Sequence, residues 1–361
     1  MLPFLREHPA DPGRVHAEGK ITRVAIEEAR EQVAALFGAR PREVVFTATG
    51  TESINAAIFG AVARGIDERS RSEPHVITTA VEHSAVLDAC ERAPARVTVV
   101  GVDGVGRFDP DAVVGAIGDD TVLVTAQLAN HEVGTIQTGI EEIALAARER
   151  GVLIHVDACA AAGHLPVDFH ALGVDLLSVT AHKLGGPKGA AALLVRRGLR
   201  VPPFVVSGAQ ERARRGGIED VPAIVGFGTA AAELLDDGRF DEEAQAARQL
   251  TDRLASGALE VEGVTQLGDA DQRLPHLVCV SVGGVEAEPV LLGLDQRGIA
   301  VHSGSSCSSE ALEPSPVLAA MGVDADKSLR PSVGWSSTSD DVEAFCTAFP
   351  EVVAKLRALR G

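Results

Sequence analysis

The chain has 361 residues, 33 Lys and Arg against 51 Asp and Glu, and a formal net charge of −18. At roughly 150 residues per domain the length gives about two domains, and 45% hydrophobic residues supply a large core. An acidic surface argues against nucleic acid or anionic membrane as the main partner; no apolar run nears the ~20 residues of a membrane span, and the start, MLPFLREHPADPGRV, has no apolar signal region. The five cysteines, Cys90, Cys159, Cys279, Cys307 and Cys346, are dispersed without a Cys-x-x-Cys pair. That pattern disfavours a disulfide framework or a zinc site and fits a reducing cytoplasm.

In chain order, helical spacing runs over 21–37, with Gly38 as the stop. Short apolar, β-branched runs follow at Val44–Thr47, His75–Thr79, 97–101, Thr121–Gln127, 152–158, 176–182 and 191–196. Helical segments such as 51–63 and 140–150 separate several of them. Buried runs alternating with helices predict an α/β fold, a mostly parallel seven-stranded sheet between helices. The acidic stretch 236–243 marks a boundary. Beyond it a long helical pattern to Leu254, an apolar run at 277–282, a Gly/Ser loop around Cys307 and a last helix from Asp340 predict a smaller α+β domain. The expected division is a large domain over 16–238 and a small one over 239–361, with residues 1–15 expected to form part of the small domain.

Ligands of open α/β sheets bind at the carboxyl ends of strands, so the residues that follow each run carry the chemistry. After the first run comes Thr47-Ala48-Thr49-Gly50-Thr51-Glu52-Ser53. Gly50 and Thr51 open a helix, and its amides and hydroxyls suit either a phosphate or a plain helix cap. Lysine is scarce, so Lys183 stands out at the end of a strand in Thr180-Ala181-His182-Lys183, before Gly185-Gly186-Pro187-Lys188-Gly189. A desolvated amine there would have a lowered pKa and form Schiff bases; a surface lysine is the alternative. Asp157 ends another strand. It is either a helix cap or, if pyridoxal phosphate lies nearby, the carboxylate that keeps the pyridine nitrogen protonated. His83 follows a strand and either stacks on a ring and moves protons or is structural. Cys307, in a run of small residues, is a candidate nucleophile, and the other four cysteines read as small core residues. Arg330 offers a planar fork to a substrate carboxylate or makes a surface ion pair.

The order of these motifs resembles the IscS/NifS-type cysteine desulfurases of the class V aminotransferase group. The resemblance rests on Thr51-Glu52-Ser53-Ile54-Asn55, Glu82-His83-Ser84-Ala85-Val86-Leu87, Asn130-His131-Glu132-Val133-Gly134, His155-Val156-Asp157-Ala158, Thr180 to Lys183, Gln210-Glu211-Arg212 through Gly217, and Ser303 to Cys307 with Leu312-Glu313-Pro314-Ser315. It covers the chain from about His16 to the C-terminal helix. It implies that the large domain binds pyridoxal 5'-phosphate, with Lys183 as the Schiff-base lysine. Gly50, Thr51, Thr180 and His182 would bind the phosphate, Asp157 the pyridine nitrogen, and His83 would stack on the ring and serve in proton transfer. Asn130 would contact cofactor and substrate, and Arg330 the carboxylate of L-cysteine. Cys307 would take the sulfur as a persulfide and alanine would leave. A homodimer and a sulfur-acceptor or scaffold protein are the implied partners, without nucleic acid or membrane. Alternatives are another class V reaction, such as a selenocysteine lyase or an aminotransferase, and a non-catalytic homologue.

The sequence departs from the family pattern in four places. It starts beyond the family's N-terminal Tyr-Leu-Asp-x-x-Ala-Thr-Thr-Pro stretch. Ala160 replaces a Gln that donates to the cofactor's phenolic oxygen, a loss of ~1 kcal/mol. Ile218 replaces a Thr that reaches the partner subunit's phosphate. Ala48-Thr49-Gly50 and Ser306 are the smaller changes.

Overall fold

The computed structural model describes residues 1–69, 73–236, 238–303 and 314–359. The chain falls into two compact units. The first comprises Met1–Val100, Asp109–Leu128 and Thr138–Phe240; the second comprises Gly101–Phe108, Ala129–Gln137 and Asp241–Gly361. Residues 1–15 therefore belong to the first unit, and Asn130 to the second.

The first unit is built on seven strands: β1 Val44–Thr47, β2 His75–Thr79, β3 Arg96–Val100, β4 Thr121–Gln127, β5 Leu153–Asp157, β6 Leu176–Thr180 and β7 Ala191–Val195. Their order is β1-β7-β6-β5-β4-β2-β3. Pairs along β6-β5-β4-β2-β3 are parallel, and β7 is antiparallel to both neighbours. Every residue of β4 is buried, as expected of a strand covered on both faces, whereas β3 at the edge is largely accessible. The helix Gly50–Arg69 lies across this sheet, with Ile54, Ile58 and Val62 packed among Val76, Leu123 and Leu176. Each such side chain stabilises the unit by about 1.5–3 kcal/mol. Gly65 allows the close approach: a Cβ there would lie 2.5 Å from Val122 Cγ1.

The strand expected over 176–182 stops at Thr180. The Ala181 carbonyl accepts the amides of Leu184 at 3.1 Å and Gly186 at 2.9 Å, which turns the chain into a 3-10 segment, Ala181–Lys183. Lys183 thus stands on a turn at the strand's end.

The second unit has four short antiparallel strands, β8 Val264–Leu267, β9 Cys279–Val282, β10 His302–Ser303 and β11 Ser328–Arg330, in the order β10-β11-β9-β8. The helices Ala287–Asp295 and Ser339–Ala358 bury Leu294, Phe345 and Phe349 against Val280 and Leu329. Segment Ala129–Gln137 joins this unit through an antiparallel bridge from Thr135 to Arg273 and the Leu274 amide on the Gly134 carbonyl at 2.8 Å.

Candidate active site

In the first unit the chemistry gathers at the carboxyl ends of the parallel strands. Asp157 closes β5. Its carboxylate is 7% exposed and accepts the Cys159 amide at 2.9 Å, and no cation pairs with it among the described residues. Next to it, at the end of β6, Thr180 Oγ1 meets His182 Nδ1 at 3.0 Å. Burial and the charges of Lys183 and Lys188 hold the His182 imidazole below its ordinary pKa. Lys183 itself is exposed and has no acidic partner among the described residues, so the single chain does not desolvate its amine as expected from the sequence.

The turn after β1 separates two readings that the sequence left open. Thr49 is the cap: its Oγ1 accepts the Glu52 amide at 3.0 Å, while the Ala48 amide donates to Glu52 Oε2 at 3.0 Å. Thr51 is exposed, and its hydroxyl makes no hydrogen bond among the described residues. Gly50 sits against the strand ends; a Cβ there would lie 2.9 Å from Cys159 Sγ and 3.6 Å from Thr180 Cβ. Arg215 grips Glu52 with two bonds, Nε at 2.8 Å and Nη2 at 3.2 Å, and so ties this turn to the segment 210–217. That segment holds Glu211, Arg212 and Ala213 at φ +48°, +60° and +59°. Buried Glu211 fixes the unusual path by accepting Arg30 twice at 2.7 Å and the Phe46 amide at 2.9 Å.

His83 caps the helix Ser84–Arg92, its Nδ1 accepting the Ala85 amide at 3.0 Å. A neutral ring there carries its proton on Nε2. Its turn is held by Glu82, whose buried Oε1 accepts Thr79 Oγ1 at 2.5 Å and the Gln127 amide at 3.0 Å.

In the second unit, Asn130 Oδ1 closes its own turn by accepting the amides of Glu132 and Val133, each at 2.8 Å. Arg330 donates from Nη1 to the His131 carbonyl at 2.7 Å, and no carboxylate pairs with it among the described residues. Buried Glu132 accepts Ser315 Oγ at 2.5 Å, and Ser315 caps the helix Pro316–Ala320. Cys307 and Ser306 lie outside the described residues.

Two residues of these sites were not singled out from the sequence. Cys159, grouped there with core cysteines, is only partly buried. It stands beside Asp157 and the start of the Gly50 helix. Burial, reinforced by the Asp157 charge, pushes its thiol well above the ordinary range, and Lys183 opposes this. Glu132 is the other, and its signal lies in pairing with a residue 183 positions away. Among the departures, Ala160 offers no donor, and Ile218 is 64% exposed.

Pyridoxal phosphate fits this donor set. A buried strand-end carboxylate without a cation suits a pyridinium. A helix start that only glycine can bring against Cys159, followed by an uncommitted Thr51 hydroxyl, suits a phosphate, and Lys183 supplies the amine.

The aminotransferase class-V family model matches residues 1–345. The chain is 41% identical over 363 residues to the cysteine desulfurase IscS of Methanosarcina thermophila, covering 99% of this chain and 88% of that one. Among solved structures, a NifS-like protein superposes with a TM-score of 0.89 at 31% identity, covering 98% of this chain and 94% of the other. SspA in complex with cysteine superposes with a TM-score of 0.78 at 30% identity, covering 92% of each chain. From residues 1 to 345 the sequence, and over its length the fold, belong to the class-V aminotransferase family, in its cysteine desulfurase branch.

Proposed function

We propose that the chain is a pyridoxal-phosphate-dependent cysteine desulfurase that converts L-cysteine to L-alanine and leaves the sulfur as a persulfide on Cys307. The observation that carries this reading is the placement of Asp157, a buried carboxylate with no cation paired to it among the described residues, and of Lys183, one strand away, on the same sheet edge. Bound there, the cofactor supplies an electron sink for negative charge at the substrate α-carbon. Lys183 holds the cofactor and takes the α-proton on Nζ. Asp157 keeps the pyridine nitrogen protonated. Thr51, Thr180, His182 and the amide of Gly50 bind the phosphate, and the His83 ring stacks and carries protons through Nε2. Asn130 orients the substrate, and the Arg330 fork, which has no carboxylate partner among the described residues, takes its carboxylate. The Cys307 thiolate attacks the substrate sulfur: an S–S bond forms, the Cβ–S bond breaks, its electron pair stays with carbon, a proton added at Cβ completes the methyl group, and Lys183 returns the α-proton to give alanine.

The same reading makes the protein a cytoplasmic homodimer that hands sulfur to an acceptor or scaffold protein, with iron–sulfur cluster assembly as the destination. Its support is the likeness to the IscS relatives and the lack, among the described residues, of any helix long and apolar enough to cross a membrane. Mass spectrometry after mixing the cofactor-loaded protein with L-cysteine tests it. One added sulfur on Cys307, absent in Lys183→Ala, is expected; an unmodified Cys307 beside continuing alanine release would overturn it.

A further inference from the structure

Arg330 is held by a turn far from it in sequence. It is the last residue of β11, and its Nη1 donates to the His131 carbonyl at 2.7 Å. Its Nε and Nη2 make no hydrogen bond among the described residues. A neutral carbonyl fixes the plane of the guanidinium and leaves its charge in place, so the position of that carbonyl decides where the open side of the fork points. The carbonyl belongs to the turn 130–135. The Asn130 amide on the Thr135 carbonyl at 2.9 Å and the Gly134 amide on the Asn130 carbonyl at 3.1 Å close this turn. Inside it, Asn130 Oδ1 accepts the amides of Glu132 and Val133.

The side chain of Glu132 ties the turn to the rest of the second unit. It is buried, and its Oε2 accepts Ser315 Oγ at 2.5 Å. Ser315 Oγ in turn accepts the Leu318 amide at 3.1 Å. The other oxygen, Oε1, stands 3.5 Å from His131 Nε2. Glu132 and Arg330 also act on one buried thiol, Cys279 at the start of β9. Burial pushes that thiol up to about 12, the Glu132 charge adds to the rise, and the Arg330 charge opposes it. A carboxylate is costly to bury, and the helix cap does not require one, because Ser315 caps with its own oxygen. What Glu132 alone supplies is a fixed point beside the His131 carbonyl.

We propose that Glu132 is a positioning residue for the substrate: anchored on Ser315, it places the His131 carbonyl, and that carbonyl sets the Arg330 fork for the carboxylate of L-cysteine. The inference rests on the assignment of Arg330 to that carboxylate. Glu132 acts through Arg330 and not on the reacting atoms, so its loss weakens substrate binding and spares turnover.

Steady-state kinetics of alanine release by the cofactor-loaded protein tests this in a double-variant cycle. Glu132→Leu should raise KM for L-cysteine about tenfold and leave kcat within about twofold. Glu132→Gln keeps an oxygen for Ser315 and should recover most of that loss. In an Arg330→Gln background, Glu132→Leu should change KM by less than about twofold, because the fork it sets is gone. Ser315→Ala breaks the same link from the other side and should raise KM about threefold; it keeps the test open if Glu132→Leu does not fold. A rise in KM with Arg330→Gln but with neither Glu132→Leu nor Ser315→Ala would overturn the inference and leave the assignment of Arg330 standing. Losses that multiply in the double variant, or a Glu132→Gln as poor as Glu132→Leu, would overturn it in the same way. An unchanged KM in Arg330→Gln would overturn both.

Discussion

Two aspartates on the same sheet have equal burial and opposite surroundings. Asp157 at the carboxyl end of β5 and Asp175 just before β6 are each 7% exposed. Asp175 is paired with Arg196 and accepts the Ile154 amide, a closed arrangement that serves the fold. Asp157 accepts the Cys159 amide and lies against the Cys159 thiol, and no cation pairs with it among the described residues. A carboxylate out of water without a partner is unfavourable. Such a group persists where a ligand completes it, so burial alone does not mark a site; the missing counter-charge does.

Variants at the two edges should therefore fail differently. The largest effect belongs to Lys183→Ala at the Asp157 edge. Activity should drop about 10^4-fold, and borohydride should trap no cofactor on the protein. Asp157→Asn keeps the shape and removes the charge, so alanine release should drop about 10^3-fold with weaker cofactor retention. Equal losses in Asp157→Asn and Asp175→Asn would break the comparison.

His155, two residues before Asp157 on β5, gives a stability effect. Burial lowers its pKa from 6.5 to about 4, with the Asp157 charge opposing. Between those values the unfolded chain binds the extra proton, so stability is full above about pH 6.5 and declines as pH falls toward 4. The total is about 3 kcal/mol. Urea midpoints across this range should fall in the wild type and flatten in His155→Asn.

Asp175→Asn should lower stability by about 1–2 kcal/mol, since its Arg196 partner is half exposed and water screens the pair. Its alanine release should stay within about twofold of the wild type, because the residue lies away from the reacting groups. Ser315→Ala should remove a helix cap and the bond to Glu132, about 1 kcal/mol in the urea midpoint. A Ser315→Thr variant should recover most of that.

The seven strands were legible because strands buried on both faces read as unbroken apolar runs, β4 above all. Asp157 was legible for the same reason: a charge at the end of such a run is conspicuous. Lys183 was half legible. Its place after β6 was plain, but its exposure follows from two amides converging on the Ala181 carbonyl, which no local pattern announces. The turn after β1 looked like either a cap or a ligand site; Thr49 is the cap, and the Thr51 hydroxyl two residues on makes no hydrogen bond among the described residues. Cys159 and Glu132 were missed because their settings are made by partners distant in sequence: Gly50 for the first, Ser315 for the second. The membership of Asn130 in the second unit likewise depends on Arg273 and Leu274, far down the chain.

The most direct test of the central claim is the alanine released from L-cysteine by protein supplied with pyridoxal phosphate, measured beside Cys307→Ala and Lys183→Ala. The account expects alanine from the wild type and its loss in both variants. A wild type that holds the cofactor on Lys183 yet releases no alanine, or a Cys307→Ala variant that releases it undiminished, would contradict the account.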